Sequence, residues 1–160
     1  MAKQDAVELL KEDHKKVQGL FTQFEKAKSS SDQHRIATEA ILELEVHAKI
    51  EEEIFYPLVR EAVGLDDVMN EADEEHHVAK MLMAELTALP PDDQHYEAKF
   101  TVLAENVRHH IEEEETEMLP KAEKIGKQRL AEIGEQMLER KEALLAELGG
   151  KPTTARTRSG

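Results

Sequence analysis

Apolar residues recur every three to four positions along most of the chain, the rhythm of helices that bury one face. The first run, from about residue 4 to 28, carries Val7, Leu10, Val17, Phe21 and Phe24, with His14 standing where the rhythm calls for an apolar group. Ser29-Ser30-Ser31-Asp32 then supplies a turn and helix-starting caps. A second run, from about 33 to 62, places Ala40, Leu44, His47, Glu51, Ile54 and Leu58 on one stripe, so a His and a Glu replace core residues. Pro57 removes a backbone donor and predicts a bend just past that pair, and Gly64 closes the helix. A third run, from about 66 to 88, aligns Ala72, His76, Ala79, Met83 and Leu86, while His77 points elsewhere with Asp73 and Lys80. Pro90-Pro91-Asp92-Asp93 breaks the chain before a fourth run, from about 93 to 124, with Phe100, Leu103, Val107, His110, Glu114 and Met118 on its stripe. A fifth, from about 127 to 148, is amphipathic through Leu130, Ile133, Met137, Leu144 and Leu148.

Four helices joined by short turns predict an all-α, up-down-up-down antiparallel four-helix bundle over residues 1–126, with an additional C-terminal helix at 127–148. That last helix could dock on the bundle, pair with a second copy or engage a protein partner. The tail 149–160 is rich in Thr, Arg, Ser and Gly, and after its Gly-Gly start it has no large apolar group to bury, so it is expected to be disordered.

The polar interruptions share a level. Residues at one height in an antiparallel hairpin are equidistant from its turn. The midpoint of His14 and His47 falls near residue 31, in the Ser-rich turn; that of Glu51 and His76 near Gly64; that of His76 and His110 at residue 93. His14, His47, Glu51, His76, His110 and Glu114 therefore surround one point in the core. Positions four apart on a helix share a face, about 6 Å apart along the axis, so His47/Glu51 and His110/Glu114 each aim an imidazole and a carboxylate the same way. His109/Glu113 has the same spacing but sits on a polar face, and we read it as chance. His34 and His95 fall in or near turns and read as solvated. In the run Glu112–Glu115 only Glu114 points inward.

Buried carboxylates without partners cost several kcal/mol each, and a cation offsets that cost. The bland alternative is a salt-bridged His/Glu layer that fixes helix register. A net charge of −14 disfavours binding to nucleic acid or an anionic membrane. No Cys is present, so metal donors must be nitrogen and oxygen. The N-terminus lacks an apolar signal segment, and no apolar run approaches the roughly 18 residues that span a bilayer; the cytoplasm is the expected location. Six mixed donors, two of them able to bridge, suit a dinuclear non-haem iron centre better than zinc, calcium or magnesium.

At Leu-Leu-Lys-Glu-Asp-His14, His47-x3-Glu51, Glu75-His76 and His110-x3-Glu114 the chain resembles the hemerythrin-like, or HHE cation-binding, family over roughly residues 5 to 125. The resemblance implies a left-turning bundle that holds two oxo- or hydroxo-bridged irons, with one position open to a small ligand. It also implies His14, His47, His76 and His110 as terminal ligands and Glu51 and Glu114 as bridges. Oxygen-carrying members have a second His one turn from the third-helix His and an acidic Asp on the last helix. Here Ala72 and Lys80 flank His76, and the acid is Glu114. That departure shifts the expected function from reversible oxygen carriage towards binding, sensing or reacting with dioxygen, peroxide or nitric oxide. The alternative is a metal-stabilised binding or regulatory module without redox turnover. No separate substrate pocket or further acid/base pair stands out.

Overall fold

The computed structural model describes residues 4–150. Helix α1 (Ala6–Lys26) starts at a reciprocal cap: Asp5 accepts from the Glu8 N–H at 2.9 Å and Glu8 accepts from the Asp5 N–H at 3.1 Å. Helix α2 (Ser30–Ile50) begins earlier than the apolar rhythm implies, because Ser29 is its N-cap and the following serines join its first turn.

From α2 the chain enters a π-helical turn, Glu51–Phe55, and continues as α3 (Tyr56–Ala62). Pro57 has no N–H, and its ring presses on the carbonyl four residues back. The wider turn relieves this, with the Tyr56 N–H donating to the Glu51 carbonyl. The device recurs in the second half of the chain. α5 (Tyr96–Glu113) passes through a π-helical turn, Glu114–Met118, into α6 (Leu119–Ala122), which contains Pro120. Both prolines thus widen their helices at the acidic residue of the His-x3-Glu pair.

Gly64 (φ 95°) and Leu65 (φ 63°) reverse the chain into α4 (Asp66–Ala88). A left-handed backbone suits Gly64 and is strained at Leu65. Helix α5 starts at Tyr96 rather than near 93, because Pro90–His95 forms hydrogen-bonded turns: the Asp93 N–H donates to the Pro90 carbonyl at 3.0 Å and the Asp93 side chain accepts from the His95 N–H at 2.8 Å. After Gly126 (φ 107°), α7 (Lys127–Leu144) runs into a π-helical turn, Leu145–Gly150. Residues 151–160, expected to be disordered, lie outside the described residues.

α1 contacts α2 and α5, and α4 contacts α2 and α5, which closes a four-membered ring of helices; α7 lies outside it against α1 and α2. The apolar core is split. Leu9, Leu10, Ile50, Phe55, Met69, Met118, Leu130 and Met137 fill one end, while Phe21, Phe24, Phe100, Leu103 and Met83 fill the other. At roughly 1.5–3 kcal/mol per large side chain buried, either cluster alone contributes substantially. The polar stripe residues lie between the two. Among the described residues no helix is long and apolar enough to cross a membrane.

Candidate metal centre

Where the two apolar clusters meet, His14, His47, Glu51, His76, His110 and Glu114 are all buried. Their donor atoms converge in two sets. One is His14, His47, Glu51 and Glu114; the other is Glu51, His76 and His110; within each, the atoms lie within 4.8 Å of one another. The two carboxylates straddle both sets. Glu51 presents Oε2 to His47 Nε2 at 3.1 Å and Oε1 to His76 Nε2 at 3.0 Å. Glu114 presents Oε1 to His14 Nε2 at 3.0 Å and Oε2 to His110 Nε2 at 3.3 Å.

Every imidazole faces inward through Nε2 and is held from behind through Nδ1 by a carboxylate on another helical rod. Asp13 of α1 accepts from His47 at 2.9 Å, and Glu52 accepts from His76 at 2.8 Å. Glu75 of α4 accepts from His110 at 2.6 Å, and Glu115 accepts from His14 at 2.6 Å. The supports form a closed ring around the bundle. An ionised carboxylate can only accept, so each Nδ1 carries its proton and Nε2 faces the centre, with a lone pair to offer whenever the ring is neutral. This pattern was not read from the sequence, where Glu115 was placed on an outward charged face; its carboxylate instead turns back to His14.

The sequence reading also missed Tyr56. The π-helical turn rotates it onto the face of Glu51, and its buried hydroxyl stands amid the second set. It donates to Glu114 Oε2 at 2.6 Å and lies 3.0 Å from Glu51 Oε1, 3.2 Å from His76 Nε2 and 3.3 Å from His110 Nε2. A signal was present: the two His-x3-Glu-x5-Pro segments differ just before proline, Tyr56 against Leu119.

Among the described residues, four buried side-chain atoms make no hydrogen bond of good geometry, although they approach one another in pairs: His14 Nε2 with Glu114 Oε1 at 3.0 Å and His47 Nε2 with Glu51 Oε2 at 3.1 Å. They are the inward atoms of the first set. Two imidazoles and two carboxylates whose inward atoms meet at one buried point fit a cation held between them.

With no cation between them, the imidazoles and carboxylates hold one another in their charged forms. Burial pushes the Glu51 carboxyl up, but His47, His110 and His76 outweigh it and hold it well below the usual carboxylate range. Burial pushes His47 down, but attraction to Glu51 and the hydrogen bond to Asp13 carry it well above the ordinary imidazole value. His110 is raised well above, and His76 is raised, by their carboxylate partners against the same burial. Glu52, gripped by His76 and then by Lys80, sits at about 2. Burial, then Glu114 and Glu51, push the Tyr56 hydroxyl well above its ordinary value, so without a cation it stays neutral and donates.

The other histidines fall elsewhere. His34 is exposed near Tyr96, and His95 is exposed beside Asp93. His109 lies at the surface, where its Nε2 is 3.3 Å from Glu113 and 3.8 Å from Glu75.

A family model described as Hemerythrin HHE cation binding domain matches residues 5–122. A crystal structure of a hemerythrin HHE cation binding domain-containing protein from Mycobacterium kansasii, the homologue there of Rv2633c, superposes with a TM-score of 0.78 at 26% identity, over 92% of this chain and 95% of that one. The uncharacterized protein Rv2633c of Mycobacterium tuberculosis is 29% identical over 143 residues, which are 88% of this chain and 87% of that protein. A DNA nickase of a Nostoc species is 28% identical over 109 residues, 68% of this chain; the match spans only 31% of the nickase.

Proposed function

Since the chain belongs to the hemerythrin HHE cation-binding family, we propose that its buried layer holds two metal ions, most fittingly iron, and that the protein binds, senses or reacts with dioxygen, peroxide or nitric oxide. The observation that carries this reading is the convergence of two imidazole nitrogens and two carboxylate oxygens at one buried point, none of them in a hydrogen bond of good geometry. His14 and His47 would hold one ion and His76 and His110 the other, with Glu51 and Glu114 shared between them. Tyr56 would add an oxygen donor to the second. That set is rich in nitrogen but includes hard oxygen, which suits iron.

Such a pair supplies one-electron chemistry with small oxygen or nitrogen ligands. The chain's own part is to position, to exclude and to select. The four rear carboxylates lock the imidazole orientations. A cavity of about 40 Å³ abuts the four histidines, walled by Val17, Leu44, Met83, Val107 and Ile111. Since a water needs roughly 10–15 Å³ on this measure, the space suits a molecule of two or three heavy atoms and excludes an organic substrate. The apolar wall favours a weakly hydrated ligand.

The second reading, a metal-stabilised module without redox turnover, is favoured by Tyr56, whose hydroxyl hydrogen-bonds the carboxylates of the second set when no cation is there. The two separate on reactivity: the reduced, metal-loaded protein should change its visible spectrum on exposure to dioxygen, peroxide or nitric oxide. Silence toward all three favours the second.

The founding test is metal content after purification without chelator. About two ions per chain are expected in the native protein, and their loss in a Glu51→Ala/Glu114→Ala double variant. No metal in the native chain, even after reconstitution with ferrous iron, would leave the layer as a salt-bridged core and refute the proposal.

A further inference from the structure

We propose that α7, a helix outside the bundle, sets the donor strength of His47 through Lys141, which makes Lys141 a positioning residue of the centre. This rests on the metal-binding reading above.

The contact is a two-step relay. Lys141 Nζ lies 2.6 Å from Asp13 Oδ1, and Asp13 Oδ2 lies 2.9 Å from His47 Nδ1. The side chain of Lys141 is 21% exposed and that of Asp13 6%, so water screens the pair far less than a surface ion pair.

Three features fix α7 in the register that delivers Lys141. Leu130, Met137 and Leu144 are buried in the apolar cluster beside the layer. Arg140 grips Glu53 with Nε at 2.8 Å from Oε1 and Nη2 at 3.3 Å from Oε2. Gly134 lies against the start of α1, where an added Cβ would come within 2.7 Å of the Gln4 carbonyl oxygen and 2.9 Å of the Ala6 nitrogen. Those are backbone atoms and cannot swing aside.

An Asp13 carboxylate shared with an ammonium pulls less on the His47 Nδ1 proton than one that serves His47 alone. A weaker pull makes Nε2 a weaker donor. The His76 side has a comparable lysine, Lys80, at 2.7 Å from Glu52 Oε2, but Lys80 belongs to the bundle and its side chain is 50% exposed. Among these supports, only that of His47 passes through α7, so movement of α7 would be read at the centre.

The test uses the full chain loaded with zinc, which is diamagnetic, and follows the His47 Nδ1–H resonance by NMR. Lys141→Met keeps the apolar stem and removes the charge. The resonance should move downfield as its hydrogen bond to Asp13 strengthens, and Lys141→Arg should bring it back. Gly134→Ala, which must push α7 and the start of α1 apart, should shift it in the same direction, and the double variant with Lys141→Met should add little. Zinc content should stay unchanged throughout. An unmoved resonance in zinc-loaded Lys141→Met, whatever happens to thermal stability, makes Lys141 a packing residue and overturns this inference alone. A native chain that binds no zinc or iron overturns the metal reading and this inference with it.

Discussion

The two halves of the polar layer share Glu51 and Glu114 yet solve the same electrostatic problem differently. On the His14/His47 side, two imidazole nitrogens and two carboxylate oxygens face one another at 3.0–3.1 Å without a hydrogen bond of good geometry. On the His76/His110 side, the Tyr56 hydroxyl sits among the donors and gives them a partner. A layer that served only to fix helix register would satisfy both halves alike. The difference fits the proposed function: the first half has only its own opposite charges to face, whereas the second also has a phenol among them.

The sharpest way to break that comparison is to remove one imidazole from each half. His47→Ala should lower bound metal from about two to about one per chain, because it strips the half that has no substitute partner. His76→Ala should lower content similarly but cost the metal-free fold more, since it leaves Glu52 with Lys80 alone and opens the Tyr56 network. Metal analysis paired with chelator-treated thermal melts checks both. Equal behaviour of the two variants would erase the distinction between halves.

Next in size is Tyr56→Phe. It removes the buried hydrogen bond to Glu114 Oε2 and leaves the Glu51 and Glu114 oxygens with their histidines alone, so the metal-free chain should lose about 1 kcal/mol. If Tyr56 becomes a metal donor, loading with zinc should also produce an ultraviolet phenolate difference signal that the variant lacks. With two tyrosines and no tryptophan in the chain, that background is low.

Acidity should separate the loaded and metal-free states further. His47, His76 and His110 are raised in the folded chain. Their contribution is therefore complete below the unfolded imidazole value of about 6.5 and is lost as pH climbs through the raised folded values. Glu51 and Glu114 are lowered, so theirs is present above about 4.3 and fades as pH falls through the folded values. The metal-free chain should thus weaken as pH rises past neutrality. Metal ligation needs neutral imidazoles and strengthens over the same range. The gap in melting temperature between zinc-loaded and chelated protein should widen from about pH 6 to about pH 8.5; a constant gap would place the metal elsewhere.

Much of the site was legible because helix periodicity and turn position are both written in the chain. Interrupted apolar stripes named His14, His47, His76 and His110, and the midpoints at the Ser-rich turn, Gly64 and the Pro-Pro-Asp-Asp break put them at one level. Tyr56 was not legible by that route, since an α-helical stripe carries it away from Glu51 and only the π-helical turn before Pro57 brings it back. The rear carboxylates follow a rule visible only in retrospect. Asp13 and Glu75 precede a layer residue, while Glu52 and Glu115 follow one. The offset changes sign because successive helices run in opposite directions, so each carboxylate reaches the next helix in the same sense round the bundle. Charge composition cannot show this, since 35 acidic residues offer many neighbours of His and Glu. The boundaries near Ser30 and Tyr96 shifted for a local reason, capping by Ser29 and turns through Asp93.

The smallest expected effect sharpens the comparison from outside the layer. Lys80 reaches Glu52 from a half-exposed position at 2.7 Å, and Glu52 in turn holds His76. Exposed pairs of this kind contribute about 0–1 kcal/mol, so Lys80→Met should barely move the melting temperature. Its charge nevertheless draws on the carboxylate behind His76, and that imidazole belongs to the half partnered by Tyr56. The variant should therefore shift the His76 Nδ1–H resonance of the zinc-loaded protein downfield and leave His14 and His47 unmoved. A response confined to His76 would show that the halves are tuned separately. A response shared with His47 would mean that Glu51 couples them too tightly for the division to hold.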